Sequence, residues 1–353
     1  MGDDVVERTM RDEAMRERVA AYGTRVNYID LQKKNRRNSA ILIVFMILLA
    51  GVLGAAIGGL IGANNSGDGG GRGAGATLAV SAVVGFVAAL AVGGLGATWS
   101  YFSGANAILS MSGARQIEKR DDPELFNVVE EVAIAAGLPM PRVYLIQETA
   151  LNAFATGRDP AHAAVAITTG LRERLTRDEL QGVMAHEMAH VRHLDIRFAL
   201  LMATMVGLIV FACDALLRSM RWGTFSGGGR RSGGKDGGGA AVAIMLVVVV
   251  LLSILAPILA RMIQMAYSRQ REYLADAGAV ELTRNPLGLA SALQKLAEDR
   301  EPLIERANRG TAHLFIVNPL EKVRKRARGH AGSVWSSHPP VEERIARLVA
   351  MSR

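Results

Sequence analysis

The sequence predicts a mainly α-helical protein with a small β-sheet, in which integral membrane helices are joined to a cytoplasmic domain. Three features predict this class. Long uncharged apolar runs alternate with segments rich in both signs of charge, a basic block stands directly before the first run, and the polar part contains an amphipathic helix with apolar residues at a spacing of about 3.6. The chain has 353 residues, with 41 Lys and Arg against 33 Asp and Glu, yet half of it is apolar, so the apolar residues must be segregated. Its one cysteine, Cys213, excludes an intramolecular disulfide and a Cys-rich metal site, which leaves His, Asp and Glu as the residues able to hold a metal.

The N-terminal segment, residues 1–38, ends in Lys33, Lys34, Arg36 and Arg37. Ala40 to Ala63 then forms a 24-residue run without charge. At 1.5 Å per residue it reaches about 36 Å, enough to cross a hydrocarbon core of about 30 Å. A cleaved signal peptide is the rival reading, disfavoured by the polar residues before the run and by its length. A second span is predicted at about 76–100, because no charge occurs between Arg72 and Arg115. Gly54, Gly58 and Gly62 offer a small face for close packing, so residues 39–110 are read as a membrane hairpin. The basic block places the N-terminus, and with it everything after the second crossing, in the cytoplasm.

Two further apolar segments occupy residues 198–260. Phe198 to Cys213 has only 16 residues between Arg197 and Asp214, while Ala240 to Ala260 has 21 and contains Pro257. They either span the bilayer or form an interfacial hairpin. The Gly-rich loop 223–239 between them carries Arg230, Arg231 and Lys235, which the positive-inside rule disfavours on the outer face. The remaining segments, 111–197 and 261–353, are predicted to be two halves of one cytoplasmic domain.

Thr176 and Glu179 fit a capping box, which starts a helix. Within that helix stands His186-Glu187-Met188-Ala189-His190. Residues four apart lie one turn above each other, so both imidazoles can bind one Zn²⁺. Glu187 is rotated by about 100° from His186 and can reach a zinc-bound water. His193 lies on the same helix, where a third ligand would surround the ion poorly. The metzincin extension is absent, since His193 and Ile196 occupy the positions of its glycine and third histidine. Glu272, with Asp276 one turn later as a hydrogen-bond acceptor for a ligand imidazole, is the better candidate. Spacing alone leaves open that Arg269, Arg271, Glu272 and Asp276 form a plain charged helix face. His186 precedes the two later apolar segments and Glu272 follows them, so an even number of crossings must separate the two. The histidine helix meets segment three within eight residues, which puts the zinc near the membrane surface.

These motifs, with Leu151-Asn-Ala-Phe-Ala-Thr-Gly157, Arg271-Glu-Tyr-Leu-Ala-Asp276, Ala312-His-Leu-Phe-Ile-Val-Asn-Pro-Leu320 and Ser337-His-Pro-Pro340, occur in one order along the chain. Together the chain resembles the HtpX-type integral-membrane zinc metalloproteases, gluzincins related to the CAAX prenyl endopeptidases. The resemblance implies a zincin-type domain with one Zn²⁺ per chain on His186, His190 and Glu272, and Glu187 as general base. It implies that Asn152, Ala153 and Phe154 lie on an edge strand that holds substrate backbone, and that His338 and Arg344 stabilise the oxyanion. Asp195 also matches a family position, with no chemistry beyond the helix end. The implied protein is a stress-response endopeptidase of the bacterial inner membrane, its site facing the cytoplasm, that cleaves misfolded or damaged membrane proteins. A CAAX-type endopeptidase and a non-catalytic zinc-binding membrane scaffold are the alternatives. The basic run from Lys322 to Arg328 lacks interleaved aromatic residues, so it is read as an anionic-lipid contact, with no nucleic-acid partner.

Overall fold

The computed structural model describes residues 28–65, 73–221, 271–298 and 339–352, with isolated helical positions at 247, 250, 251, 254–256 and 258. The Gly-rich loop 223–239, most of the fourth apolar segment, the run 322–328 and His338 lie outside the described residues. The chain divides into two compact units, one formed by Ser39–Ser103 and Ala199–Gln264, the other by Met1–Asn38, Gly104–Phe198 and Met265–Arg353.

The first unit is built from α1 (Tyr28–Asn65), α2 (Gly73–Met111) and α6 (Asp195–Arg221). Each contains a stretch long and apolar enough to cross a membrane: Ile43–Gly62, Gly75–Met111 and Asp195–Asp214. Helix α2 continues eleven residues past the predicted end of its span at Ser100, because no proline interrupts it there. At 39 residues it is about 58 Å long. Helix α6 likewise runs through Arg197 and Asp214, since Arg and Asp at helix ends do not break a helix. Val80, Val83, Val87, Val92, Leu95 and Phe102 of α2 are each more than half exposed, an apolar surface suited to lipid.

The glycine face of α1 meets α2 as its spacing predicts. A Cβ added at Gly58 would collide with the Ser81 carbonyl oxygen, and one at Gly54 would lie 2.5 Å from the Gly85 carbonyl oxygen. Deeper in the unit the Ser100 hydroxyl accepts from Thr204 at 2.6 Å and donates to the Leu200 carbonyl at 3.2 Å, which ties α2 to α6. Gly58→Ala is therefore expected to destabilise the hairpin by about 1–3 kcal/mol. Gly94, with no neighbour within 4 Å of an added Cβ, serves as the control. A thermal midpoint of the detergent-solubilised protein that falls equally for Gly58→Ala and Gly94→Ala would refute close packing as the cause.

The second unit carries a four-stranded sheet in the order β1-β2-β4-β3, from Ala114–Gln116, Arg142–Ile146, Ala153–Thr156 and Ala164–Thr168 for β1 to β4. β2 and β4 are parallel, and β1 and β3 pair antiparallel at the two edges. All five residues of β4 are buried. Helix α3 (Pro123–Ala136) starts at an Asp122 cap, with Pro123 in its first turn, and stops at Gly137, whose φ of 65° is the left-handed conformation that glycine tolerates. The short α4 (Thr169–Arg174) follows β4 directly. Helix α5 (Arg177–Arg192) has the predicted capping box. It packs against α3, β3 and α8 (Pro286–Glu298), burying Leu180, Val183, Met184 and Met188 with Leu125, Val129 and Leu293. Residues 271–283 form α7 and Val341–Met351 form α9, which packs on α8.

The same cap clamps α5 to α8. Glu179 accepts from the Thr176 backbone N–H at 2.8 Å, from Ser291 at 2.5 Å and from Lys295 at 2.6 Å. Burial raises its pKa, but the hydrogen bonds from Lys295, Ser291 and Thr176 outweigh that and hold it at about 2. With the folded value below the unfolded one, the contribution to stability is complete above about pH 4.5 and is lost as pH falls towards 2. Glu179→Gln is expected to lower the thermal midpoint at neutral pH and to narrow its gap from wild type across that window. Parallel wild-type and variant curves between pH 5 and 3 would refute this.

Candidate metal centre

Local periodicity puts His186 and His190 one turn apart on the buried face of α5, and their Nε2 atoms lie 3.2 Å apart. Helix α7 brings Glu272 between them, with its two carboxylate oxygens 3.6 Å from His186 Nε2 and 3.6 Å from His190 Nε2. One ligand atom from each of the three falls within 4.8 Å of the others. Among the described residues this is the one such His and carboxylate group.

Behind each imidazole stands an aspartate. Asp276 accepts from His186 Nδ1 at 3.0 Å, and Asp195 accepts from His190 Nδ1 at 3.1 Å. Both bonds fix the tautomer with the proton on Nδ1 and turn the Nε2 lone pairs to one point. Arg344, which α9 delivers with no exposed surface, clasps Asp276 through Nε at 2.9 Å and Nη2 at 2.7 Å, and places Nη1 3.2 Å from Glu272.

The electrostatics favour a cation at that point. Among the described residues, Glu187, Asp195, Glu272 and Asp276 are buried carboxylates and the buried guanidiniums beside them are Arg271 and Arg344, four negative side chains against two positive ones. Burial disfavours charge on the imidazoles, yet Asp276 and Glu272 hold His186 above the usual imidazole range, and Asp195 and Glu272 push His190 up to about 10. A dication there would supply the countercharge, and two imidazoles with a carboxylate suit zinc. His193, the helix-end histidine, is buried outside the ligand group, and burial lowers its pKa to about 4, so it stays neutral.

Glu187 lies beside the ligands and meets the sheet. Its carboxylate accepts the Ala155 backbone N–H of β3 at 2.7 Å. The register explains why that amide is available. Thr168 N–H donates to the Asn152 carbonyl at 2.9 Å, so residues 152, 154 and 156 turn their backbone groups to β4. Ala153 and Ala155 turn theirs to the other side, where no strand among the described residues pairs with β3. Of the three residues expected on the substrate strand, all are buried, but only Ala153 turns its backbone groups away from β4, while those of Asn152 and Phe154 face it.

Two residues at the centre went unrecognised in sequence. The sequence gives Asp195 a family position with no chemistry beyond the helix end and Arg271 a place in a family motif or a charged face with no role, yet Arg271 Nη1 lies 3.3 Å from the Asp195 carboxylate. The available signal was the position of Asp195, five residues after His190 at the start of an apolar helix.

Two histidines bracketing an acid, a carboxylate brought to them by another helix and a sheet-edge strand alongside are an arrangement that could serve a metallopeptidase. Comparison with known families reaches the same class, for residues 119–352 match the model of peptidase family M48, and the chain belongs to that family. It is 41% identical over 318 residues to a protease HtpX homolog of Ligilactobacillus salivarius (strain UCC118), covering 90% of this chain and 98% of that one. It is 45% identical over 251 residues to a protease HtpX homolog of Tropheryma whipplei (strain Twist), covering 71% and 80%. The crystal structure of S. mikatae Ste24p is a more distant likeness, with TM-score 0.43 and 20% identity over 71% of this chain and 55% of that one. The protein is an integral membrane metalloprotease of the HtpX type.

Proposed function

We propose that this protein is a zinc endopeptidase that hydrolyses misfolded or damaged membrane proteins in the bacterial inner membrane, as part of a stress response, with its site open to the cytoplasm. The observation that carries the catalytic reading is the convergence of His186, His190 and Glu272 beside Glu187 and the sheet-edge strand β3. His186, His190 and Glu272 would hold one Zn²⁺, which supplies Lewis acidity and lowers the pKa of a bound water towards about 7. Glu187 takes the proton of the attacking water and passes it to the leaving amine. The outward amide groups of Ala153 and Ala155 pair with an extended substrate, so that Glu187 exchanges the Ala155 N–H for its role as base. Arg344 holds Glu272 and Asp276, and His338, on the resemblance alone, is given the role of stabilising the developing oxyanion. The substrate class and the orientation rest on the resemblance and on Lys33, Lys34, Arg36 and Arg37 before α1, which also suit anionic lipid.

Metal removal tests this reading. The detergent-solubilised protein is expected to contain one zinc per chain, to cleave casein and an unfolded membrane protein, to lose activity on dialysis against a chelator and to regain it with stoichiometric Zn²⁺. Hydrolysis that survives loss of the metal overturns it. Retained zinc without hydrolysis favours the scaffold, and cleavage confined to prenylated CAAX peptides favours that endopeptidase class.

A further inference from the structure

We propose that Arg271 is a positioning residue of the metal centre, which holds Asp195 in place and through it the ring of His190. The inference rests on the metal reading above and adds a residue to it. Its basis is a chain of buried contacts. His190 Nδ1 donates to Asp195 Oδ2 at 3.1 Å, Arg271 Nη1 lies 3.3 Å from Asp195 Oδ1, and the same Nη1 donates to the Asp195 backbone carbonyl at 3.2 Å. The guanidinium carbon lies 3.8 Å from the centroid of the Phe198 ring, so the planar group is held on its face as well as at its edge. Asp195 and Arg271 are 3% and 6% exposed, which leaves the pair screened from water.

The backbone explains why Asp195 needs an anchor. Leu194 has φ of 60°, a left-handed conformation that a leucine rarely adopts. His193 and Leu194 are the two residues between α5 and α6, and the Leu194 conformation turns the chain so that the first carboxylate of α6 faces back to His190. A strained turn of this kind persists where its surroundings over-determine it. Arg271, bonded to both the carboxylate and the carbonyl of the following residue, supplies that determination. Because Arg271 directly precedes Glu272, one step of α7 contributes a ligand and the support of another ligand. The arm Arg271–Asp195–His190 is thus the counterpart of Arg344–Asp276–His186.

The test is equilibrium competition for zinc between the full-length protein in detergent and a chromophoric chelator, alongside the visible spectrum of the Co²⁺-loaded protein. Arg271→Gln and Asp195→Asn are each expected to weaken zinc binding by about 10–100-fold and to alter the cobalt spectrum. The double variant is expected to be no weaker than the more affected single one, because both act on one ring. Arg271→Lys keeps the charge but loses the fork and the stacked face, and Phe198→Leu loses the face alone; each is expected to give a smaller loss. These milder variants carry the test if Arg271→Gln does not fold. Wild-type zinc affinity and cobalt spectrum in the Arg271 variants, or losses that multiply in the double variant, overturn the proposal while leaving the metal centre intact. A wild-type protein that takes up neither metal overturns the metal reading and this inference with it.

Discussion

Glu187→Gln is expected to leave the protein folded and metal-loaded while lowering kcat/KM for an unfolded protein substrate by about 10²–10⁴-fold, or about 3–5 kcal/mol of transition-state stabilisation. The substitution is close to isosteric, and the amide oxygen can still accept the Ala155 N–H that the carboxylate accepts at 2.7 Å. What it removes is the ability to take a proton. His186, His190 and Glu272 are untouched, so zinc content should match wild type, and the loss should appear in kcat with little change in KM. Hydrolysis at the wild-type rate by a zinc-loaded Glu187→Gln protein would sink the assignment of Glu187 as base.

Arg344→Met is the second large effect, and it acts through charge. The guanidinium is fully buried and faces Asp276 and Glu272. A methionine of similar length fills the space but strands two buried carboxylates, and breaking a buried pair in this way costs about 3–5 kcal/mol. The expected result is a lower thermal midpoint, weaker zinc binding and loss of hydrolysis together. This outcome separates two roles. A residue that only stabilises the oxyanion would lose kcat and keep both metal affinity and midpoint. If Arg344→Met behaves in that way, the residue does not hold the ligands.

Much of the centre was legible because its parts are local. The pairing of His186 with His190 needs only 3.6 residues per turn, and the start of α5 needs only the Thr176–Glu179 box, which the structure contains. The glycine face of α1 was legible for the same reason, since a stripe at every fourth residue is a property of one helix. Glu272 was not legible from spacing, because more than eighty residues and two apolar segments separate it from His186, and a charged helix face has the same pattern. Its spacing to Asp276 made it a candidate, and the resemblance decided between that and a plain charged face. Arg271 remained hidden beside it, because its partner Asp195 is distant in sequence and close in space.

The sequence by itself determined which segments are apolar enough for a membrane, where the helices begin, and that two imidazoles share one face with an acid between them. Each of these is written in residues a few positions apart, where helical periodicity and capping act. The tertiary structure decided which carboxylate comes to the two imidazoles, which aspartate bonds which imidazole, and that α9 supplies the guanidinium that binds two of the carboxylates. The physical reason is burial. A lone charge in the interior is too costly to persist, so each of these groups is placed by its countercharge, and the countercharges come from helices that meet only when the chain has folded.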